Sequence, residues 1–123
     1  MALSRVLKYH ICDTIYGATI RMKQEEAEKE ISNALRALKE AGASFCCNDL
    51  VKLLEGLGFV VRDGKRGGHK LYHHKALANF FGSGFNCGHG KNPEIKPVYV
   101  RNVRKVIEEY KVEIQDYLER AKP

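Results

Sequence analysis

No long apolar run opens this chain. Lys8, His10 and Asp13 interrupt its first residues, so neither a secretory signal nor a membrane-spanning helix is expected. Cysteines at metal-knuckle spacing are lacking as well. The four present are Cys12, Cys46, Cys47 and Cys87, and the adjacent pair fits no zinc-binding repeat. Reduced thiols in the cytoplasm are the simplest expectation. Acidic residues are in deficit: 15 Asp and Glu stand against 21 Lys and Arg, giving a formal net charge of +6 and a pI of about 9.2. That excess points toward a polyanion such as nucleic acid, although a merely soluble basic protein has the same balance. A chain of 123 residues can bury one modest core without staples.

The pattern of apolar residues predicts the elements. Residues 1–21 are ambiguous, because HICDTIYGATI has β-branched content but is interrupted by Asp13 and Gly17. A short hairpin, a frayed helix and a disordered arm all fit. Residues 22–41 read as helix, with Ala27, Ile31, Ala34, Leu35, Leu38 and Ala41 recurring at spacings of three and four. Gly42 is the expected stop, and Ser44 or Asn48 the cap of a second helix. That helix carries Leu50, Leu53, Leu54 and Leu57 and ends at Gly58. Phe59 to Arg62 reads as a strand, DGKRGG as a turn with Asp63-Gly64 as its hairpin signal, and residues 69–75 as a second strand. A weak third strand is expected within Phe80 to Cys87.

The C-terminal third predicts one long helix from Pro97 or Val98. Val100, Val103, Ile107, Tyr110, Ile114 and Tyr117 form a heptad seam along it. Roughly 23 helical residues would span about 35 Å, more than a small sheet covers. Either the N-terminal helix, through Ile31, Leu35 and Leu38, or a second copy of the chain must cover the rest. The expected fold is α+β: a small antiparallel three-stranded sheet with helices on one face. Residues 1–43 form an extension with one helix, and residues 44–123 the main domain.

The chemistry gathers around His69. An imidazole can take a proton from an RNA 2′-hydroxyl or protonate a leaving 5′-oxygen. Lys65, Arg66 and Lys70 supply cations to offset charge building on phosphorus, and Gly67 and Gly68 let backbone N–H groups approach a phosphate closely. A surface histidine on a hairpin is the plainer alternative. Side chains alternate along a strand. If Tyr72 points into the core, His69, Leu71 and His73 share the open face, with His73 about 13 Å from His69. If Leu71 points inward, the histidines follow it. Phe80, Phe81 and Phe85 either stack on bases or pack. Lys96, Arg101, Arg104 and Lys105 either track an RNA backbone or form a solvated face. A rival constellation of His73, His74, Cys87 and His89 around zinc has no usual pairing. No metal and no cofactor are expected.

NDLVKLLEGLGFVVRDGKRGGHKLYHH, residues 48–74, resembles the opening of the HicA toxins, small mRNA interferases of bacterial toxin–antitoxin pairs. Gly58-Phe59 matches the family's Gly-aromatic pair, and Gly67-Gly68-His69 its Gly-Ser-His type motif. Further on, HGKNPEIKPVYVRNVRKVI resembles its histidine-containing link into the last helix. The resemblance covers roughly residues 46–108. It implies a fold similar to the double-stranded-RNA-binding domain, helix–three strands–helix, with Tyr72 facing inward. It also implies an endoribonuclease with His69 as the catalytic residue and His89 as a phosphate contact. Lys65, Arg66, Gly67, Gly68, Lys70, His73, Arg101 and Arg104 are the remaining candidate RNA contacts. The implied partners are mRNA and an antitoxin protein; for the C-terminal helix, docking of the N-terminal helix is favoured slightly, with a homodimer as the close alternative. Gly68 stands where the family carries Ser or Thr, which leaves open a non-catalytic RNA-binding module. A helix-mediated interaction subunit is the third alternative.

Overall fold

The computed structural model describes residues 11–41 and 45–121, with side chains from Lys23 to Glu40 and from Phe45 onward. Among the described residues, four helices and three strands follow in the order α1 (Ile11–Ala41), α2 (Cys47–Gly56), β1 (Val60–Asp63), β2 (His69–His73), β3 (Ser83–Asn86), α3 (Pro97–Glu109) and α4 (Lys111–Ala121). The class is α+β with one antiparallel sheet, ordered β1-β2-β3. Helix α1 begins well before residue 22, so Ile11 to Arg21 is helical despite its β-branched residues and Gly17. Once a helix is nucleated, each added residue gains a hydrogen bond, and single poor formers do not stop it. Residues 1–10 and the expected stop and cap at Gly42 and Ser44 lie outside the described residues.

Ala27, Ile31, Ala34 and Leu38 form the buried stripe of α1. It packs mainly against α4 and α3. Ile107 and Ile114 are fully buried there and Leu118 nearly so, each removing apolar surface worth about 1.5–3 kcal/mol. The heptad seam therefore finds its cover inside the chain. The expected single helix is two. Tyr110 leaves helical geometry (φ −105°, ψ 24°) between α3 and α4. Its ring packs 5.6 Å from Phe80, centroid to centroid, and its hydroxyl donates to the Asn79 carbonyl at 3.2 Å. Tethering Tyr110 to the loop before β3 fixes the break at this residue.

Helix α2 has no side-chain cap of its own at Cys46. The loop before α3 caps it instead: the Cys47 N–H donates to the Pro93 carbonyl and the Asn48 N–H to Asn92 Oδ1, both at 2.9 Å. Asn48 is thus capped rather than capping. Leu50 and Leu54 of α2 meet Phe59, just before β1, and Tyr72 and Phe85 from the sheet in one continuous core. Phe59 and Tyr72 stack edge-on at 5.8 Å, and Phe80 joins them.

One covalent feature corrects the reading of the cysteines as reduced. Cys47 and Cys87 form a disulfide, with Cα atoms 5.4 Å apart, while Cys46 remains a half-buried thiol. The first turn of α2 and the end of β3 converge because the loop after β3 returns to residues 45–47. There the Ile95 N–H donates to the Phe45 carbonyl, and Cys46 bridges Glu94. That convergence spans 40 residues and leaves no trace in cysteine spacing. Disulfides persist in oxidising compartments, so this pair lends no support to the cytoplasmic expectation. No described helix is long and apolar enough to cross a membrane.

Candidate functional site

The strand register settles which way β2 faces. Tyr72 is buried, as is its core-facing neighbour Phe85. His69, Leu71 and His73 therefore point to the other face, where the register sets Arg62 and Gly84 beside Leu71 and Asn86 beside His69. The His69 ring lies between two glycines. A Cβ on Gly64 would stand 3.1 Å from its Cγ, and one on Gly84 would stand 3.0 Å from its Nε2. Bare backbone thus borders the imidazole on both sides.

The loop between β1 and β2 is closed by two backbone bonds. The Gly64 N–H donates to the His69 carbonyl at 2.8 Å, and the His69 N–H to the Arg66 carbonyl at 3.1 Å. Lys65, Arg66 and Gly67 are left exposed at its tip. Gly68 is in the left-handed region at φ +81°, and a Cβ there would stand 2.3 Å from the Gly88 carbonyl oxygen. Its own carbonyl accepts from the Cys87 N–H at 2.7 Å. No hydroxyl-bearing side chain fits at this position.

Several of the expected residues come together. Lys65, Arg66, Gly67, Gly68, His69 and Lys70 line a groove of about 450 Å³ whose far wall holds the Cys47–Cys87 disulfide and Lys91. His69 also borders a cleft of about 210 Å³ with Gly84, Asn86 and Tyr99. His89 is exposed, and its ring reaches the side of Gly67. Lys70 is placed differently from the expectation. It alternates to the core-facing side of β2, and its ammonium is held by the Asp63 carboxylate, so part of its charge is already neutralised. His73 lines a separate groove of about 490 Å³ on the open face with Arg62 and Phe81. Arg101 is exposed on α3 and Arg104 half-buried there, and neither lines these grooves.

Sequence reasoning passed over Lys91 and Arg62. Lys91 follows a glycine-rich stretch with no pattern to mark it. Arg62 was legible as the outward residue of β1 once the register of β2 was fixed. Of the three phenylalanines considered for base stacking, Phe85 is buried and Phe80 packs in the aromatic core, while Phe81 is 96% exposed.

Two histidines of the same strand region do opposite things. His74 is 4% exposed. The Ala76 N–H donates to its Nδ1 at 3.1 Å, so its Nε2 carries the proton and donates to the Leu57 carbonyl at 3.0 Å. Its ring is wedged edge-on between Phe59 and Tyr117. Burial pushes its pKa below the ordinary value, the hydrogen bond to Leu57 opposes this, and the nearby His73 adds to it. No hydrogen bond to the His69 ring is found among the described residues. The zinc constellation does not assemble. Cys87 is bonded to Cys47, and both nitrogens of His74 are occupied. Among the described residues no three His, Cys, Asp or Glu side chains are placed to hold a metal ion.

Comparison with protein-family models, with curated proteins and with solved structures returns no match.

Proposed function

We propose that this protein binds RNA on the open face and loop edge of its sheet and cleaves it with His69, as an endoribonuclease of the HicA type with a fold similar to the double-stranded-RNA-binding domain. The observation that carries the reading is the setting of His69. Its imidazole borders the basic groove, and its neighbours on both sides are glycines. Bare backbone on both sides lets the ring pack closely with no competing side chain, which holds it at the edge of the groove. His69 takes the proton of a 2′-hydroxyl, the 2′-oxygen bonds to phosphorus, and the P–O5′ bond breaks with the 5′-oxygen taking a proton from water, leaving a 2′,3′-cyclic phosphate and a 5′-hydroxyl. Lys65, Arg66 and Lys91 along the groove offset the charge on the phosphate, and His89 beside Gly67 is the second imidazole within the loop's reach. The reading names mRNA as substrate and an antitoxin protein as partner, both through the family resemblance.

Gly68 supports a second reading, an RNA-binding module without catalysis, because its cramped position supplies no hydroxyl. Measuring binding and cleavage separately divides the two. His69→Ala should abolish cleavage and leave RNA affinity within a few fold. Binding without cleavage in the native protein would establish the second reading. Lys65→Ala with Arg66→Ala should weaken binding and flatten its salt dependence, the log–log slope falling by about 0.7 for each phosphate no longer neutralised. An affinity indifferent to salt would contradict both readings.

A further inference from the structure

We propose that the groove beside His73 is a base-binding subsite: one unpaired base of single-stranded RNA stacks on Phe81, flanked by Arg62 and His73. The inference rests on the RNA reading above and adds to it a preference for single strands. Phe81 is 96% exposed, an unusual state for a phenyl ring. Its exposure is fixed by its neighbours rather than left to a loose loop. On one side, Phe80 is anchored by the rings of Phe59, Tyr72 and Tyr110. On the other, Gly82 takes φ +107°, with a Cβ position 3.2 Å from the Tyr72 carbonyl oxygen. With Phe80 turned in and Gly82 pressed to β2, the Phe81 ring is presented outward.

The groove beneath it measures about 490 Å³ and is lined by Arg62, Leu71, His73 and Ser83 as well as Phe81. Leu71 supplies an apolar floor. Arg62 and His73 supply donors for a base edge or a neighbouring phosphate. This composition separates a base site from a protein-docking patch. The exposed aromatic of the lining is single, Tyr72 being buried, and it is bordered by a cation and polar groups on a chain with net charge +6. Stacking on an aromatic is available only to a base whose face is free, so a duplex, with its bases already stacked, gains nothing there. The groove shares its sheet face with His69, and β2 sets the two about 13 Å apart. A strand that stacks on Phe81 can therefore continue along β2 and bring a phosphodiester to His69.

The chain contains no tryptophan, so Phe81→Trp introduces a sole indole reporter. Its fluorescence should be quenched, saturably, by a single-stranded oligoribonucleotide and not by a duplex of the same sequence. Phe81→Ala should weaken single-strand affinity by roughly 5- to 100-fold while leaving duplex affinity and melting temperature unchanged. RNA binding by the native protein with an indifferent indole and undiminished affinity of Phe81→Ala would overturn the subsite and leave the RNA reading standing. Absence of any RNA binding by the native protein would overturn both. An indole indifferent to RNA, with a changed solution mass for Phe81→Ala, would assign the ring to a protein contact and overturn the proposal.

Discussion

The His69 ring lies so close over Gly84 that a single added carbon would stand 3.0 Å from its Nε2 and 2.8 Å from the Lys70 carbonyl oxygen. The imidazole is therefore positioned by an absence of side chain on the neighbouring strand. Gly84→Ala should push the ring aside and strain the β2–β3 pairing. A displacement of about an ångström commonly costs on the order of 100-fold in rate, so cleavage should fall by roughly 10- to 100-fold with a lowered melting temperature. Gly56→Ala, where a Cβ meets nothing within 4 Å, is the control and should be silent or slightly stabilising. Equal activity of the two variants would detach Gly84 from the site.

The Cys47–Cys87 bond closes a loop of 40 residues, which in the chain-entropy account stabilises by about 4 kcal/mol. Denaturant midpoints measured with and without reductant should differ accordingly. Cys47→Ser with Cys87→Ser should bring the midpoint to the reduced value and make it insensitive to reductant. Cys46→Ser should leave the difference intact.

His74 makes stability depend on pH. Its folded pKa lies below the ordinary histidine value of about 6.5, so the unfolded chain binds the extra proton first as pH falls. The contribution is fully present above about 6.5 and is lost as pH falls from there through the depressed folded value. The urea midpoint should drop between pH 7.5 and pH 5.5, and the drop should shrink in His74→Gln. A native midpoint that rises over that interval would contradict the neutral, buried assignment.

Ile114 tests how the C-terminal helices are held. It is fully buried against α1 within the same chain. Ile114→Ala should cost about 2–5 kcal/mol, and Ile114→Asp more, because it buries an unpaired charge. Val112→Asp, at a position 76% exposed, should stay within about 0.5 kcal/mol of the native protein. Unchanged melting of Ile114→Asp would mean that the seam is not buried.

The legible parts of this fold are those written in periodicity. The stripe Ala27, Ile31, Ala34, Leu38 emerges where the spacing places it, whereas alternation along β2 allowed either face and the burial of Tyr72 decides between them. The heptad seam likewise announces a need for cover by α1 or a second copy, and the burial of Ile107 and Ile114 against α1 decides for the first. What stayed illegible depends on contacts between distant segments. The break at Tyr110 follows from its tie to Asn79. The capping of α2 by Asn92 and the pairing of Cys47 with Cys87 follow from the path of one loop. At the candidate site, the basic, glycine-rich turn and the His69 that follows it were readable from the order of residues. The diversion of Lys70 to Asp63 was open to strand alternation, but the glycines that frame the ring required the register of β3.

The most direct test is an incubation of the native protein and His69→Ala with two oligoribonucleotides in excess EDTA. One oligoribonucleotide is all-ribose, and the other carries a 2′-deoxy sugar at the cleaved position. The account predicts cleavage of the all-ribose strand by the native protein alone, leaving a 2′,3′-cyclic phosphate, with the deoxy strand intact. Cleavage that stops in EDTA and returns with magnesium, or that proceeds at the native rate in His69→Ala, would contradict it.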